Sequence, residues 1–259
     1  AGWARDSLKG LIRPLLPHHL RVRLRALVEG YGTDENDVDR VRQITTDQWR
    51  TLGARSPRYV DVYWDRVDEP GSDTVGKRRS QWLAGLSPFR EAGSVLELGC
   101  GVGRNLYVLQ QRYPRMELYG VDISREVIAH ASRHVQGKFL TGDLYALDTL
   151  LSGLEVDLIV TMGVLIHLHP HTLPVLIAQM RRLARRHLVF VEQVSETNEV
   201  VKGPARWGPN RRVTGDYIQW SPNLSRILGE VGLGFEFSPV PPELQSNGAR
   251  HLFIVPLMS

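Results

Sequence analysis

Glu97, Gly99, Gly101, Gly103 and Asp122 are the residues whose types and spacing most readily suggest chemistry. They open in S-V-L-E-L-G-C-G-V-G-R-N-L, residues 94–106, where a short apolar run meets a Gly-x-Gly-x-Gly turn and then helical composition. That order reads as strand, tight turn, helix. A buried strand that turns directly into a helix needs dihedrals closed to residues with a Cβ, and a ligand there must approach the main chain closely. The spacing also discriminates between ligands. A dinucleotide turn wants glycine at the first, third and sixth positions beneath a pyrophosphate, but the sixth position here is Arg104 or Leu106. Glu97 beside the turn would repel a diphosphate and suits a ligand carrying an ammonium group. Asp122 follows Gly99 by about twenty residues, the interval that lets a carboxylate reach ribose hydroxyls, and it can equally cap the helix that comes next.

A second constellation is G-V-L-I-H-L-H-P-H, residues 163–171, with His167, His169 and His171 in alternation. Histidine suits general-base work because its ordinary pKa lies near neutrality. The same side chains can instead pack in the core, or join Glu192 in a metal site. Pro170 and a strand-to-helix transition at this point keep the three rings from converging, so no metal is expected. Arg206, Arg211 and Arg212 with Trp207 offer charge and ring stacking to a ligand, or form a solvated loop. Cys100 has no evident base to activate it.

These residues need a frame to hold them. Apolar runs at residues 94–98, 116–121, 138–141, 156–162 and 187–191 read as strands, and residues 104–113, 124–135, 172–186 and 222–231 as helices. Alternation of this kind predicts a parallel sheet with crossover helices, closed by an antiparallel hairpin of residues 235–240 and 251–256. Ligands of such sheets sit at the carboxyl ends of the strands, where Gly99, Asp122, Asp143 and Met162 all fall. Residues 38–52 and 73–86 read as helices ahead of the sheet, residues 87–93 as the return to the first strand, and residues 194–223 as a long irregular segment of lid or binding type.

The motif E-L-G-C-G-V-G-R-N resembles the first motif of class I S-adenosylmethionine-dependent methyltransferases. The resemblance implies a doubly wound, mostly parallel seven-stranded Rossmann-like α/β sheet and S-adenosyl-L-methionine as cofactor. It assigns Glu97, Gly99, Cys100, Gly101, Asn105, Asp122, Ile123, Asp143, Leu144 and Met162 to cofactor binding, with Asp143 near the adenine amine and the amide of Leu144 near a ring nitrogen. It places His167 and His169 beside the transferred methyl as catalytic residues. Trp49, Gly53 and Tyr59 resemble a W-x-x-x-G-x-x-Y lid segment with a longer spacing. From about residue 48 to the end, the chain is similar to small methylases of bacterial sugar and surface-polysaccharide pathways, including those associated with pseudaminic acid biosynthesis. O-methylation of a sugar, a glycan or a related polar small molecule is the implied activity.

Composition sets the outer bounds. The 259 residues are 42% hydrophobic and 23% charged with a net charge of +4, an ordinary balance for a globular chain. A single cysteine excludes an internal disulfide and, with no signal peptide or apolar run long enough to cross a bilayer, leads to a cytoplasmic expectation. Residues 1–90 are expected to be a helical arm and lid, and residues 91–259 the cofactor domain. Within the arm, residues 1–30 mix leucines with Lys9, Arg13, Arg21, Arg23 and Arg25. Such a segment can pack on the main domain or on a second copy of the chain, lie on an anionic membrane, or contact nucleic acid. An RNA methyltransferase and a non-catalytic cofactor-binding module therefore stand as alternatives, with a nicotinamide oxidoreductase disfavoured by Glu97 and the glycine spacing.

Overall fold

The computed structural model describes residues 37–55, 59–204, 216–245 and 249–257. The arm of residues 1–30, and Arg206, Trp207, Arg211 and Arg212, lie outside them.

Strands β1 (Ser94–Leu98), β2 (Glu117–Asp122), β3 (Lys138–Thr141), β4 (Val156–Met162) and β5 (Ala184–Glu192) pair in parallel. They join β8 (Glu236–Pro239) and β9 (His251–Pro256) in one seven-stranded sheet of order β3-β2-β1-β4-β5-β9-β8. The last two pair antiparallel, β9 on β5 and β8 on β9. This is the expected Rossmann-like architecture. The chain reverses its winding between β1 and β4, so a crevice opens at the carboxyl ends of these strands.

Every residue of β1 is buried, as a central parallel strand demands. Alternation sends Leu96 and Leu98 into a core with Leu173, Ile177 and Met180 of α8 (Leu173–Leu183). Val95 goes into the opposite core with Leu106 and Leu109 of α5 (Arg104–Arg112) and Leu83 of α3 (Val75–Gly85). Glu97 shares the Val95 face and therefore looks toward α5. Burying side chains of this size contributes about 1.5–3 kcal/mol each, which fixes the register on which the crevice depends.

The remaining helices are α1 (Val38–Arg55), α2 (Tyr59–Trp64), α4 (Ser87–Glu91), α6 (Arg125–His134), α7 (Leu147–Leu150) and α9 (Leu224–Glu230). Three readings of the sequence need correction. Residues 87–93 are not a plain return, because Pro88 opens the short helix α4 and Phe89 is fully buried. The helix expected over residues 172–186 stops at Leu183, and β5 already begins at Ala184, where Val156 pairs with it. The segment 194–223 is not irregular throughout: β6 (Glu199–Pro204) and β7 (Asp216–Ser221) form a separate antiparallel ribbon. Val200, Ile218 and Trp220 of this ribbon pack on Val41 and Ile44 of α1, a long-range apolar contact that the glycine, proline and arginine content of the segment conceals.

Candidate active site

At the end of β1 the chain turns through Gly99, Gly101 and Gly103, all at positive φ. The three glycines serve different needs. A Cβ on Gly99 would come within 2.4 Å of Val164, and one on Gly103 within 2.9 Å of Ala131 on α6, so both are small because protein packs against them. A Cβ on Gly101 would meet nothing within 4 Å. Bare backbone there faces open space, which is the cradle a close-lying ligand requires. Cys100 is buried, and burial raises its thiol pKa well above the ordinary range, so it holds its proton and is no nucleophile.

Glu97 is 2% exposed and accepts a hydrogen bond from Asn105 Nδ2 at 2.6 Å through Oε1. Asn105 Oδ1 accepts in turn from the hydroxyl of Ser80, also at 2.6 Å, and Met162 Sδ lies 3.8 Å from Asn105 Nδ2. Oε2 of Glu97 is buried with no hydrogen-bond partner among the described residues. Burial pushes the Glu97 carboxyl up to about 8, against the pull of Asn105. An idle buried carboxylate oxygen costs free energy until a donor reaches it. An ammonium group meets that need.

Asp122 ends β2 with each oxygen on a backbone amide: Oδ2 accepts from Gly101 at 2.9 Å and Oδ1 from Ser124 at 2.9 Å. The carboxylate therefore braces the glycine turn as well as the entry to α6, and its pKa is raised by burial while the amides of Ser124, Gly101 and Ile123 oppose that rise. Each oxygen keeps lone-pair capacity for a hydroxyl. One strand further, Asp143 accepts from the amide of Tyr145 at 2.9 Å and from Arg42 Nη2 of α1 at 3.2 Å. Arg42 also lies 4.5 Å from the Tyr145 ring centroid, so α1 crosses the edge at Asp143, with Leu144 buried behind it.

Past β4 the backbone takes two 3-10 turns, Leu165–His167 and Pro170–Thr172. His167 is partly buried, with its ring 4.4 Å from that of Trp49 on α1, and burial lowers its pKa to about 3. His169 is only 4% exposed; its Nδ1 accepts from the amide of His171, its own amide donates to Tyr145 Oη, and its ring lies 5.3 Å from Trp220. Glu192 is fully buried and accepts from Thr161 Oγ1 at 2.8 Å and from the amide of Val164, tying the end of β5 to the turn after β4. Burial raises its carboxyl to about 7. Among the described residues, no group of three or more His, Cys, Asp or Glu side chains is arranged to hold a metal ion.

Residues 95–187 match the family model of a methyltransferase domain. That match runs from β1 into β5 and so contains Glu97, Asp122, Asp143 and His167. Trans-aconitate 2-methyltransferase of Azoarcus sp. strain BH72 is 32% identical over 107 residues. The similarity spans 40% of this chain and 41% of that enzyme. Among solved structures, the magnesium protoporphyrin IX methyltransferase of Synechocystis PCC 6803 with bound SAM aligns at TM-score 0.55 with 19% identity, covering 83% of this chain and 96% of that one. A sugar N-methyltransferase of Streptoalloteichus sp. ATCC 53650 aligns at 0.53 with 14% identity, covering 77% and 92%. At these identities the likeness is one of fold.

The residues singled out in the sequence thus lie along the carboxyl edge of the sheet, in the spatial order Asp143, Asp122, Glu97, Met162 across β3, β2, β1 and β4. Asn105 reaches the site through Glu97, and His169 is the core member of the histidine pair. Ser80, Arg42 and Arg250 are side chains at this edge that the sequence reading missed. Each comes from an element distant in sequence, and no local motif marks it.

Proposed function

We propose that this chain is an S-adenosyl-L-methionine-dependent methyltransferase that transfers a methyl group to a hydroxyl of a sugar, glycan or related polar small molecule. The observation that carries the reading is the idle, buried Oε2 of Glu97 beside the open backbone at Gly101. An ammonium group and a close-lying nucleoside fit these two features together. When bound, the cofactor supplies a methyl group already activated on a sulfonium centre.

The protein's part is to bind, orient and exclude water. Glu97 would take the ammonium of the methionine moiety, held for that task by Asn105. Asp122 would accept from the ribose hydroxyls while its amide bonds keep the turn in shape, and Asp143 with the backbone at Leu144 would meet the adenine. His167 stands at the end of β4 as a neutral imidazole. At a pKa of about 3 it is a weak base, so its contribution is to accept a hydrogen bond from the acceptor hydroxyl and orient it, with alignment supplying most of the rate and the hydroxyl proton passing to bulk water as the ether is formed. Trp49 and the β6–β7 ribbon cover this position.

The sugar class of acceptor rests on the resemblance to small methylases of polysaccharide pathways. The test is turnover of S-adenosylmethionine to S-adenosylhomocysteine with matched acceptors that carry or lack a free hydroxyl. S-adenosylhomocysteine formed with hydroxyl acceptors alone supports the proposal. Binding of the cofactor with no product from any sugar, hydroxy acid or phenol would overturn it.

A further inference from the structure

At the crevice Arg250 is a charged side chain whose donors neither the cofactor reading nor the fold uses. Arg250 immediately precedes β9, whose His251 pairs with Glu192, so Arg250 lies beside the end of β5. Its guanidinium extends over Gly163 at the end of β4, where a Cβ would sit 3.7 Å from Nη2 and 3.9 Å from Nε. Nε and Nη1 are both buried and have no hydrogen-bond partner among the described residues. Each of them shares an edge of the planar group with Nη2, the arrangement that suits an oxyanion.

The surroundings do not use this charge. Glu192 is an electrostatic neighbour of Arg250, but its oxygens are occupied by Thr161 and Val164. Arg79 and Arg104 lie close enough to oppose Arg250. Those two are satisfied: Arg79 Nε donates to Leu244 O at 2.7 Å, while Arg104 donates to Tyr63 O and to Ser80 Oγ. Three guanidinium groups thus crowd one corner, and of the three Arg250 has buried donors left idle among the described residues. Leaving such donors unmet is costly, and an anion removes the cost.

We infer that Arg250 binds an anionic oxygen group, a carboxylate or a phosphate, on the methyl acceptor, so that the acceptor is an acid such as a sugar acid, a hydroxy acid or a sugar phosphate. The inference rests on the methyltransferase reading and narrows its substrate class. Position decides that the anion belongs to the acceptor. Adenine, ribose and ammonium sites fall at β3, β2 and β1, whereas Arg250 sits on the far side of β4 against β5 and β9.

The test uses the full chain saturated with S-adenosylhomocysteine and titrated calorimetrically with glucuronate, citrate, trans-aconitate and glucose 6-phosphate, with glucose as the neutral control. At least one oxyanion is expected to bind while glucose does not. Arg250→Met, which fills the same volume without charge, is expected to weaken that oxyanion at least about tenfold while leaving the S-adenosylhomocysteine affinity within about twofold. It is also expected to melt no lower than the parent, because it removes two unmet buried donors and the repulsion from Arg79 and Arg104. Arg250→Gln serves as the second variant and should show the same loss. Absence of oxyanion binding to the parent complex, or equal binding by both variants, overturns the inference. So does a tenfold loss of S-adenosylhomocysteine affinity in Arg250→Met, which would assign the guanidinium to the cofactor's own carboxylate. Failure of S-adenosylhomocysteine to bind the parent chain would instead remove the methyltransferase reading itself.

Discussion

Asn105 donates a 2.6 Å hydrogen bond to Glu97 and so ties the first turn of α5 to the end of β1. The bond makes a helix residue responsible for aiming a strand residue, and Ser80 of α3 holds the other end of the amide. Three elements therefore share one buried polar chain. Replacing Asn105 by Ala leaves Oε1 of Glu97 unmet, while the Ser80 hydroxyl keeps Gly76 O as an acceptor and Arg104 as a donor, a loss of roughly 1–3 kcal/mol by the cost of an unmet buried polar group. Urea denaturation of Asn105→Ala should show it. A loss below about 0.5 kcal/mol, the level of an ordinary surface change, would mean that the chain Ser80-Asn105-Glu97 is not what holds the turn.

The Glu97 carboxyl sets a pH dependence of stability. Its pKa rises from 4.5 to about 8 on folding, so between those values the folded state keeps a proton that the unfolded state has lost. The sign follows: stability falls as pH rises from about 4.5 through 8, by up to about 1.4 kcal/mol per pH unit for one proton. Glu192, raised to about 7, adds to the decline in the lower part of the window. Glu97→Gln should flatten the slope near pH 7–8 in denaturation curves. An ammonium ligand favours the ionised carboxylate, so S-adenosylhomocysteine binding at pH 7 should release protons, read by calorimetry in buffers of different ionisation enthalpy. Proton-neutral binding would separate Glu97 from the ammonium.

Asp122 carries two duties that two variants can separate. Asp122→Ala removes the amide bonds to Gly101 and Ser124 along with any ribose contact, and should weaken S-adenosylhomocysteine at least about tenfold, the value of a charge-assisted pair. Asp122→Asn keeps an acceptor for one amide and should lose less stability than Ala while still binding weakly. If calorimetry finds parental affinity in both variants, the ribose lies elsewhere.

The architecture was legible because β1, β3 and β4 are short runs rich in apolar residues that give way at once to glycine, and the bounds of β3 and β4 matched the sequence reading residue for residue. Asp122 and Asp143 were legible for the same reason, as they end or follow such runs. The three glycines look alike in sequence, yet Val164 and Ala131 decide that only Gly101 is open. Those neighbours are fixed by tertiary packing. The ribbon was hidden because its stability comes from Val41 and Ile44, more than a hundred residues upstream, and Arg250 because nothing around it in sequence marks a guanidinium folded over Gly163. Local pattern reports on residues that a strand positions, and is silent about those brought in from the far side of the fold.

Trp49 and His167 offer the sharpest test of how the acceptor is handled. The two rings lie 4.4 Å apart, and with His167 at a pKa of about 3 the imidazole is neutral throughout the working range. A depressed histidine pKa means that the unfolded chain takes up the proton first, so this residue favours unfolding as pH falls below about 6.5 toward 3 and is without effect at neutrality. The rate should then show no histidine limb between pH 5 and 8, and the His167 ring protons should not titrate there by NMR. Trp49→Ala uncovers the ring, and its pKa should climb toward the ordinary value near 6.5. Below about pH 6.5 the acceptor KM of this variant should rise, because an imidazolium cannot accept a hydrogen bond from the hydroxyl. His167→Asn, which keeps a hydrogen-bond acceptor, should retain more activity than His167→Ala. A parental rate profile with a limb near pH 6.5 would instead make His167 a titrating base and remove the orienting role.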